Sequence, residues 1–155
     1  MASKKQRFVS DKVAENPHGH WSNTLRVGDF IWLSGFTARE NDMETIRGVG
    51  DPYEQAKMIF TKIKHCLEAA GSAMADVTTM TIYVTNMAHN KEVWRARKGL
   101  GAGLRPQIDS SLIIGRIRAG LKNFLSRLQV WSAGRKDVQR PVPTSDSALI
   151  RRSRR

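Results

Sequence analysis

The sequence predicts an α+β domain in which two helices pack on one face of a β-sheet. Three observations support this class. Apolar residues recur at helical spacing between Asp51 and Ala70, and apolar and polar residues alternate between Val77 and Thr85. A Gly28-Asp29 pair separates two shorter segments with strand character. A helix with one apolar stripe requires a sheet or another helix to cover that stripe, and the neighbouring strands supply the sheet.

Length and composition limit the class of protein. The chain has 155 residues, of which 40% are hydrophobic, enough for one domain with its own core. No apolar run approaches the roughly 18–20 residues of a membrane span, and the basic start lacks the apolar segment of a secretory signal. A single cysteine, Cys66, fits a reducing compartment. We therefore expect a cytoplasmic protein without a membrane partner.

The charge is distributed unevenly along the chain. Residues 1–99 carry 14 basic and 11 acidic side chains, a net charge of +3. Residues 100–155 carry 12 basic and 3 acidic side chains, a net charge of +9, which completes the total of +12. The basic character thus belongs to the C-terminal third, which can bind polyanions such as nucleic acid.

The segment after residue 50 carries signals for both ends of a helix. Asp51 is a favourable N-cap with Pro52 at the first helical position, and Glu54 completes a capping-box pattern. Gly71 follows the last periodic residue, as a left-handed C-cap requires. The predicted apolar stripe consists of Ala56, Ile59, Phe60, Ile63, Cys66, Leu67 and Ala70. The predicted solvent side carries Lys57, Lys62, Lys64 and Glu68. On that stripe, Cys66 is predicted to be a buried structural thiol, with a reactive thiol as the alternative.

The segment that follows this helix has the alternation of a strand with one buried face. Its apolar side consists of Met80, Ile82 and Val84. Its other side consists of Thr79, Thr81, Tyr83 and Thr85. This strand supplies part of the sheet that the helix covers.

The N-terminal part combines a polar segment with a predicted hairpin. Residues 1–19 form a polar segment in which His18, with the nearby His20, is weak evidence for a metal site, so no metal is predicted. The Gly28-Asp29 turn lies between two strands, and the second, Phe30 to Leu33, is predicted to be covered on both faces. Ser34-Gly35 ends that strand, where a residue without a side chain allows close approach of a ligand or marks a turn.

A second, shorter helix is predicted after the buried strand. Asn90 is a candidate N-cap, and Glu92 lies in the first turn. Gly99 and Gly101 end the helix. Residues 20–98 thus form the predicted α+β domain.

Two long strings in this domain resemble one family. WSNTLRVGDFIWLSGFTA and DPYEQAKMIFTKIKHCLEAAGSAMADVTTMTIYVTNM resemble the RidA/YjgF family, also known as imine deaminases and formerly as endoribonuclease L-PSP. The resemblance implies a chorismate-mutase-like α+β fold and a homotrimer with clefts between subunits. It also implies hydrolysis of reactive 2-imino acids to 2-keto acids and ammonia, without a cofactor. It places the substrate-binding positions at Trp21, Ser34, Gly35 and Trp94.

The chain departs from this family at several positions. Phe36 stands where a glutamine is common, and the arginine that binds the substrate carboxylate has no match, because Arg105-Pro106 reverses the expected order. The catalytic residues therefore stay unknown. Two interpretations follow, an imine or enamine hydrolase and a non-catalytic member that binds a small molecule related to imino or keto acids.

The family's two late strands have no counterpart by pattern. Residues 99–131 form an atypical basic segment, in which apolar residues from Ile113 to Leu128 suggest a helix interrupted by Gly115 and Gly120. Residues 132–155 form an Arg- and Ser-rich tail that is predicted to be disordered. Loss of the late strands would expose sheet edges, so the chain is predicted not to form a clean trimer.

A reading-frame shift is an alternative origin of this C-terminal third. Codons for Asn123 to Ala133, read one base earlier, permit EFLIEVTGLVG, a string similar to the family's closing strand. If the shift occurred, the tail carries no function. If it did not, nucleic-acid binding through the tail is the alternative function.

Overall fold

Six strands of the described residues form one sheet, in the spatial order Lys5–Phe8, Thr24–Val27, Phe30–Phe36, Leu128–Ala133, Val77–Val84 and Gln107–Leu112. The computed structural model describes residues 4–99, 107–112 and 128–133. Its helices and strands are β1 Lys5–Phe8, β2 Thr24–Val27, β3 Phe30–Phe36, α1 Pro52–Ala69, β4 Val77–Val84, α2 Asn90–Lys98, β5 Gln107–Leu112 and β6 Leu128–Ala133. Short 3-10 turns at Met74–Asp76 and Met87–His89 precede β4 and α2. The predicted α+β class is confirmed.

The sheet joins an N-terminal meander to a C-terminal group of strands. Strands β1, β2 and β3 pair antiparallel in sequence order, and Gly28 closes the β2–β3 turn with φ +61°. Strand β6 pairs antiparallel with both β3 and β4, while β5 lies parallel to β4. Strand β6 thus connects the hairpin to the strand that follows α1.

The predicted caps of α1 are present, with one correction. The Asp51 carboxylate accepts the backbone N–H groups of Tyr53 and Glu54, and Gly71 has φ +74°. The reciprocal half of the capping box is wrong, because the Asp51 N–H donates to the Gly48 carbonyl at 2.9 Å. The Glu54 carboxylate instead lies 3.5 Å from the Lys57 amine.

The core lies between α1 and the sheet. All seven residues of the predicted stripe are buried, as are Met80, Ile82 and Val84 of β4. From β3, Ile31 and Leu33 complete this layer. The prediction for Lys62 is wrong, because this residue is buried rather than on the solvent side of α1.

Three local predictions in the first 99 residues are corrected. The segment 1–19 contains a strand, β1, which pairs with β2. Phe30 and Trp32 are 55% and 38% exposed, so β3 is covered on one face only in this chain. Asn90 is the first residue of α2 rather than its cap, while the Asn86 side chain accepts the Ala88 N–H at 2.9 Å.

The predicted absence of late strands is also wrong. Strand β5 pairs with β4 over six residues, and β6 pairs between β3 and β4. Leu128, which the sequence assigned to a helix, begins β6. Ser132 and Ala133, the first residues of the tail predicted to be disordered, belong to β6. The remainder of the predicted helix and of that tail lies outside the described residues. The prediction that the chain does not form a clean trimer therefore loses its premise, the absence of the late strands.

None of the helices in the described ranges is both long enough and apolar enough to cross a membrane.

Candidate functional site

A cleft of about 490 Å³ lies where the segment after β1, the end of β3, the following loop and α1 meet. We call it the inner cleft. It is lined by Val13, Ala14, Asn16, Trp21, Asn23, Gly35, Phe36, Thr37, Arg39, Met43 and Lys62. Its volume falls in the range of about 300–1,000 Å³ that small-molecule sites occupy. Among the described residues, the lining contains two cationic side chains and no carboxylate.

Trp21 lies between the inner cleft and a second depression. This outer depression measures about 740 Å³ and also includes Glu15, His20 and Ser22. The indole is 56% exposed and lies against the backbone of Gly19, where an added Cβ would be 2.9 Å from ring carbons. Glycine at position 19 therefore allows the ring to occupy its place at the mouth of the cleft.

The end of β3 contributes backbone to the cleft. The β3–β6 register shifts between Leu33 and Phe36, so a bulge accompanies Ser34-Gly35. Gly35 lines the inner cleft, whereas Ser34 does not belong to its lining. The Ser34 N–H donates to the Asn23 carbonyl at 3.0 Å, and its hydroxyl lies 3.5 Å from Asn23 Oδ1. Ser34 thus supports Asn23, which does line the cleft.

Asn23 is also fixed from the N-terminal side. Its backbone N–H donates to Glu15 Oε1 at 2.7 Å, and its side-chain amide donates to the Ala14 carbonyl at 3.3 Å. The other carboxylate oxygen of Glu15 forms an ion pair with Arg7 of β1. These contacts attach the segment before Trp21 to the sheet.

The loop between β3 and α1 forms another wall. Asp42 accepts the Thr45 hydroxyl at 2.5 Å and the N–H groups of Glu44 and Thr45 at 2.9 Å. These bonds, the Thr45 hydroxyl first, lower the pKa of the Asp42 carboxyl. Met43 has φ +64°, a left-handed conformation that is uncommon outside glycine. The turn presents Met43 to the cleft.

Two cations approach the cleft from this loop and from α1. The Arg39 guanidinium donates from Nη1 to the Met43 carbonyl at 2.8 Å. The Lys62 amine donates a hydrogen bond to the Arg39 backbone carbonyl. Burial lowers the pKa of the Lys62 amine, and the nearby Glu40 carboxylate opposes this shift. Helix α1 and the loop are thereby connected at the wall of the cleft.

Of the four predicted substrate-binding residues, the structure brings three close together. Trp21 and Gly35 line the inner cleft and Ser34 is adjacent to it, whereas Trp94 is 47% exposed on α2 and lines neither depression. Arg105, the nearest candidate for the carboxylate-binding arginine, lies outside the described residues. The described ranges contain no group of three or more His, Cys, Asp and Glu side chains able to hold a metal ion.

Sequence reasoning missed the two cleft cations and Asn23. For Lys62 a signal was present, because it lies three residues after Ile59 and four before Cys66, at the edge of the buried stripe. Arg39 lies in a loop without periodicity, so no pattern marks it. Cys66 itself is 1% exposed, which confirms the predicted buried thiol, and burial raises its pKa.

In the described residues, the fold and cleft define an α+β protein with two helices on one face of a mixed sheet and a small-molecule-sized site beside them. The endoribonuclease L-PSP family matches residues 12–108, more than half of the chain. The chain belongs to this family, which is the RidA/YjgF family of the sequence prediction.

Three similar proteins illustrate this relationship. A 2-iminobutanoate/2-iminopropanoate deaminase from Dermatophagoides farinae is 33% identical over 84 residues, which cover 52% of this chain and 62% of that protein. A RutC family protein from Pyrococcus abyssi is 33% identical over 83 residues, covering 53% and 64%. These matches thus span less than two thirds of both relatives. The crystal structure of RidA from an Antarctic Psychrobacter has a TM-score of 0.69 at 20% identity, covering 83% of this chain and 98% of that one, and supports the fold.

Proposed function

We propose that this chain hydrolyses small reactive 2-imino acids to 2-keto acids and ammonia in the inner cleft, without a cofactor. The observation that carries the proposal is the meeting of Trp21 and Gly35 in one cleft of about 490 Å³ lined by two cations. The name of the Dermatophagoides relative, a deaminase of 2-imino acids, supports the same substrate class.

The chemistry of a 2-imino acid matches what this lining offers. The substrate is small and planar around its C=N bond and carries a carboxylate. The exposed face of Trp21 can cover a planar group, and Gly35 lets the strand backbone approach it. Water adds to the imine carbon to form a carbinolamine, and the C–N bond then breaks to release ammonia and the keto acid. A positively charged lining favours an anionic ligand over a neutral ketone.

A coupled assay tests the activity. An amino-acid dehydratase or oxidase generates 2-iminopropionate or 2-iminobutanoate in situ, and semicarbazide competes for the imine. The proposal expects this protein to lower semicarbazone formation in proportion to its concentration while keto acid accumulates faster than in buffer. A rate equal to the buffer control would exclude the hydrolase and leave the interpretation as a non-catalytic binder, for which binding of the keto acid is the measurement.

Two tryptophan variants locate the site. Trp21→Ala removes an indole at the mouth of the cleft, and we expect a loss of turnover with an unchanged circular-dichroism spectrum. Trp94→Ala removes an indole of similar exposure on α2 and tests the remaining predicted substrate-binding position. A loss in Trp94→Ala alone would place the site at α2 instead of the inner cleft.

Assembly belongs to the same proposal. The resemblance implies a homotrimer, and the exposed Phe30 and Trp32 on β3 provide apolar surface for contact between subunits. Light scattering after size-exclusion chromatography should give about three times the chain mass of 17.4 kDa. A monodisperse monomer would contradict the trimer.

The buried thiol of Cys66 and the lack of any other cysteine support a cytoplasmic, reducing location.

Nucleic-acid binding is a second candidate, favoured by the net charge of +9 in residues 100–155. Such binding should weaken steeply with salt and disappear when residues 135–155 are deleted. Retention of binding in the truncated chain would show that the tail is not the site.

A further inference from the structure

Lys62 is a buried lysine that reaches the inner cleft. The residue is only 8% exposed, although lysine is rarely this buried unless it is paired. It lies on α1 within the same buried region as Ile59 and Cys66. Of the three N–H donors of its amine, the structure assigns one, to the Arg39 carbonyl.

The positive charge of Lys62 lacks a close counter-charge among the described residues. Lys62 belongs to none of the ion pairs, with N–O distances up to 4.0 Å, that residues 4–99 form with one another. Glu40, the carboxylate that acts on it electrostatically, pairs instead with Arg47 at 2.8 Å. A buried ammonium with one carbonyl partner is under-compensated, and burial accordingly lowers its pKa. An anion in the cleft would provide the missing compensation.

The rest of the cleft lining points the same way. Arg39 adds a second positive charge, and none of the other lining residues that the structure describes is acidic. The uncharged polar groups of the lining, including Asn23 and Thr37, are compatible with a ligand that also carries an oxo or imino group. A cleft lined by charge of one sign raises the local concentration of ligands of the opposite sign.

We propose that Lys62 anchors a small-carboxylate subsite in the inner cleft, with its free N–H donors on the carboxylate of a short 2-oxo or 2-imino acid. The inference rests on the proposed function for its choice of ligand class. It assigns to a helix lysine the contact for which no strand arginine was found in the sequence. A lysine ammonium binds a carboxylate as a point charge, so one residue is sufficient.

The competing explanation is that Lys62 only ties α1 to the loop through Arg39. Lys62→Gln separates the two roles, because glutamine retains an N–H donor for the carbonyl but has no charge. Lys64→Gln is the matched control on the same helix, since Lys64 is 53% exposed and lies 3.9 Å from Glu68.

The test is calorimetric titration of each folded protein with 2-oxobutanoate, with 2-butanone and inorganic phosphate as comparison ligands. We expect Lys62→Gln to bind 2-oxobutanoate about 10- to 100-fold more weakly than the wild type, as loss of a charged hydrogen bond implies. Lys64→Gln should bind as the wild type does, and 2-butanone should bind weakly to all three proteins. Equal affinity in wild type and Lys62→Gln, or tighter binding of phosphate than of 2-oxobutanoate, would overturn the subsite.

A second measurement on the wild type does not depend on the variant folding. Lysine acetylation is followed by mass spectrometry with and without 2-oxobutanoate. Selective protection of Lys62 relative to Lys64 supports the subsite, and equal modification of Lys62 in both samples overturns it.

Hydrolysis that survives in Lys62→Gln with unchanged KM would keep the proposed function and overturn the subsite. If binding of 2-oxobutanoate depends on Lys62 but the protein does not hydrolyse the imine, the subsite is kept and the proposed function is overturned.

Discussion

The guanidinium of Arg95 lies over the ring of Tyr53, with its Cζ atom 4.2 Å from the ring centroid. Tyr53 is in the first turn of α1 and Arg95 in α2, so this contact joins the two helices. The Glu92 carboxylate, 2.9 Å from Arg95, holds the guanidinium in this position. The contact places a charged group on an aromatic face at the edge of the core.

A double-mutant cycle measures this contact. Tyr53→Ala and Arg95→Ala should show a coupling of about 0.5–1 kcal/mol in the free energy of unfolding, the magnitude of an exposed cation–π pair. Chemical denaturation of the wild type, both single variants and the double variant gives the value. Tyr53→Ala combined with Lys98→Ala is the control and should be additive. Additivity for Tyr53 and Arg95 would contradict a stabilising contact.

Ile63 tests the packing of α1 on the sheet. Its side chain is 0% exposed in the middle of the helix, so Ile63→Ala leaves a cavity under α1. We expect a loss of about 2–5 kcal/mol in the free energy of unfolding, measured with urea. Lys64 is the next residue along the helix and is exposed, so Lys64→Ala should change the free energy of unfolding by less than about 0.5 kcal/mol. Similar values for both variants would show that the stripe is not the buried face.

The sequence predicted α1 and β4 because the pattern of each element lies within its own residues. The stripe of α1 and the alternation of β4 need no distant partner to be recognised, and both ends of α1 carry cap residues. Strand β5 contains the sequence QIDSSL, with only two apolar residues, and its strand conformation comes from pairing with β4. Such non-local pairing overrides local propensity, and the residues next to Gln107 in the sequence give no sign of it.

The candidate site was predicted in part for a similar reason. Trp21 and Gly35 were found through the family resemblance, since their spacing alone favoured a turn. Lys62 was assigned to the solvent because lysine is normally exposed, whereas its aliphatic chain occupies the edge of a buried stripe. Arg39 reaches the cleft through a turn that Asp42 stabilises, and this geometry depends on hydrogen bonds rather than on spacing.

Two glycines before α1 allow the cost of backbone strain to be measured apart from the cost of a steric contact. Gly48 and Gly50 both have positive φ, +66° and +81°. An added Cβ at Gly48 would lie 2.9 Å from Glu54 Cβ, whereas at Gly50 it would meet nothing within 4 Å. Gly50→Ala should destabilise the fold by about 1–2 kcal/mol through strain alone, and Gly48→Ala by about 1–3 kcal/mol more. Thermal denaturation compares the two, and equal losses would show that the helix relaxes away from the contact.

Cys66 should be unreactive in the folded protein. The thiol is 1% exposed and burial raises its pKa, so the nucleophilic thiolate is both rare and shielded. Labelling with a disulfide reagent at neutral pH should be slow in buffer and fast in urea, with a rate that follows the unfolded fraction. Rapid labelling under native conditions would indicate that the reactive-thiol alternative holds.

The same raised pKa predicts the direction of a pH effect on stability. Between the ordinary thiol pKa and the raised pKa of folded Cys66, the folded chain binds more protons than the unfolded chain. The contribution of Cys66 is therefore complete below the ordinary thiol pKa and is lost as pH rises through the folded-state pKa. The wild type should lose stability relative to Cys66→Ala over this alkaline range. Lys62, whose pKa is lowered, acts in the opposite direction and interacts electrostatically with Cys66, so the difference between the two proteins reports the thiol together with its effect on Lys62. A pH-independent difference between the two unfolding free energies would contradict the shift at Cys66.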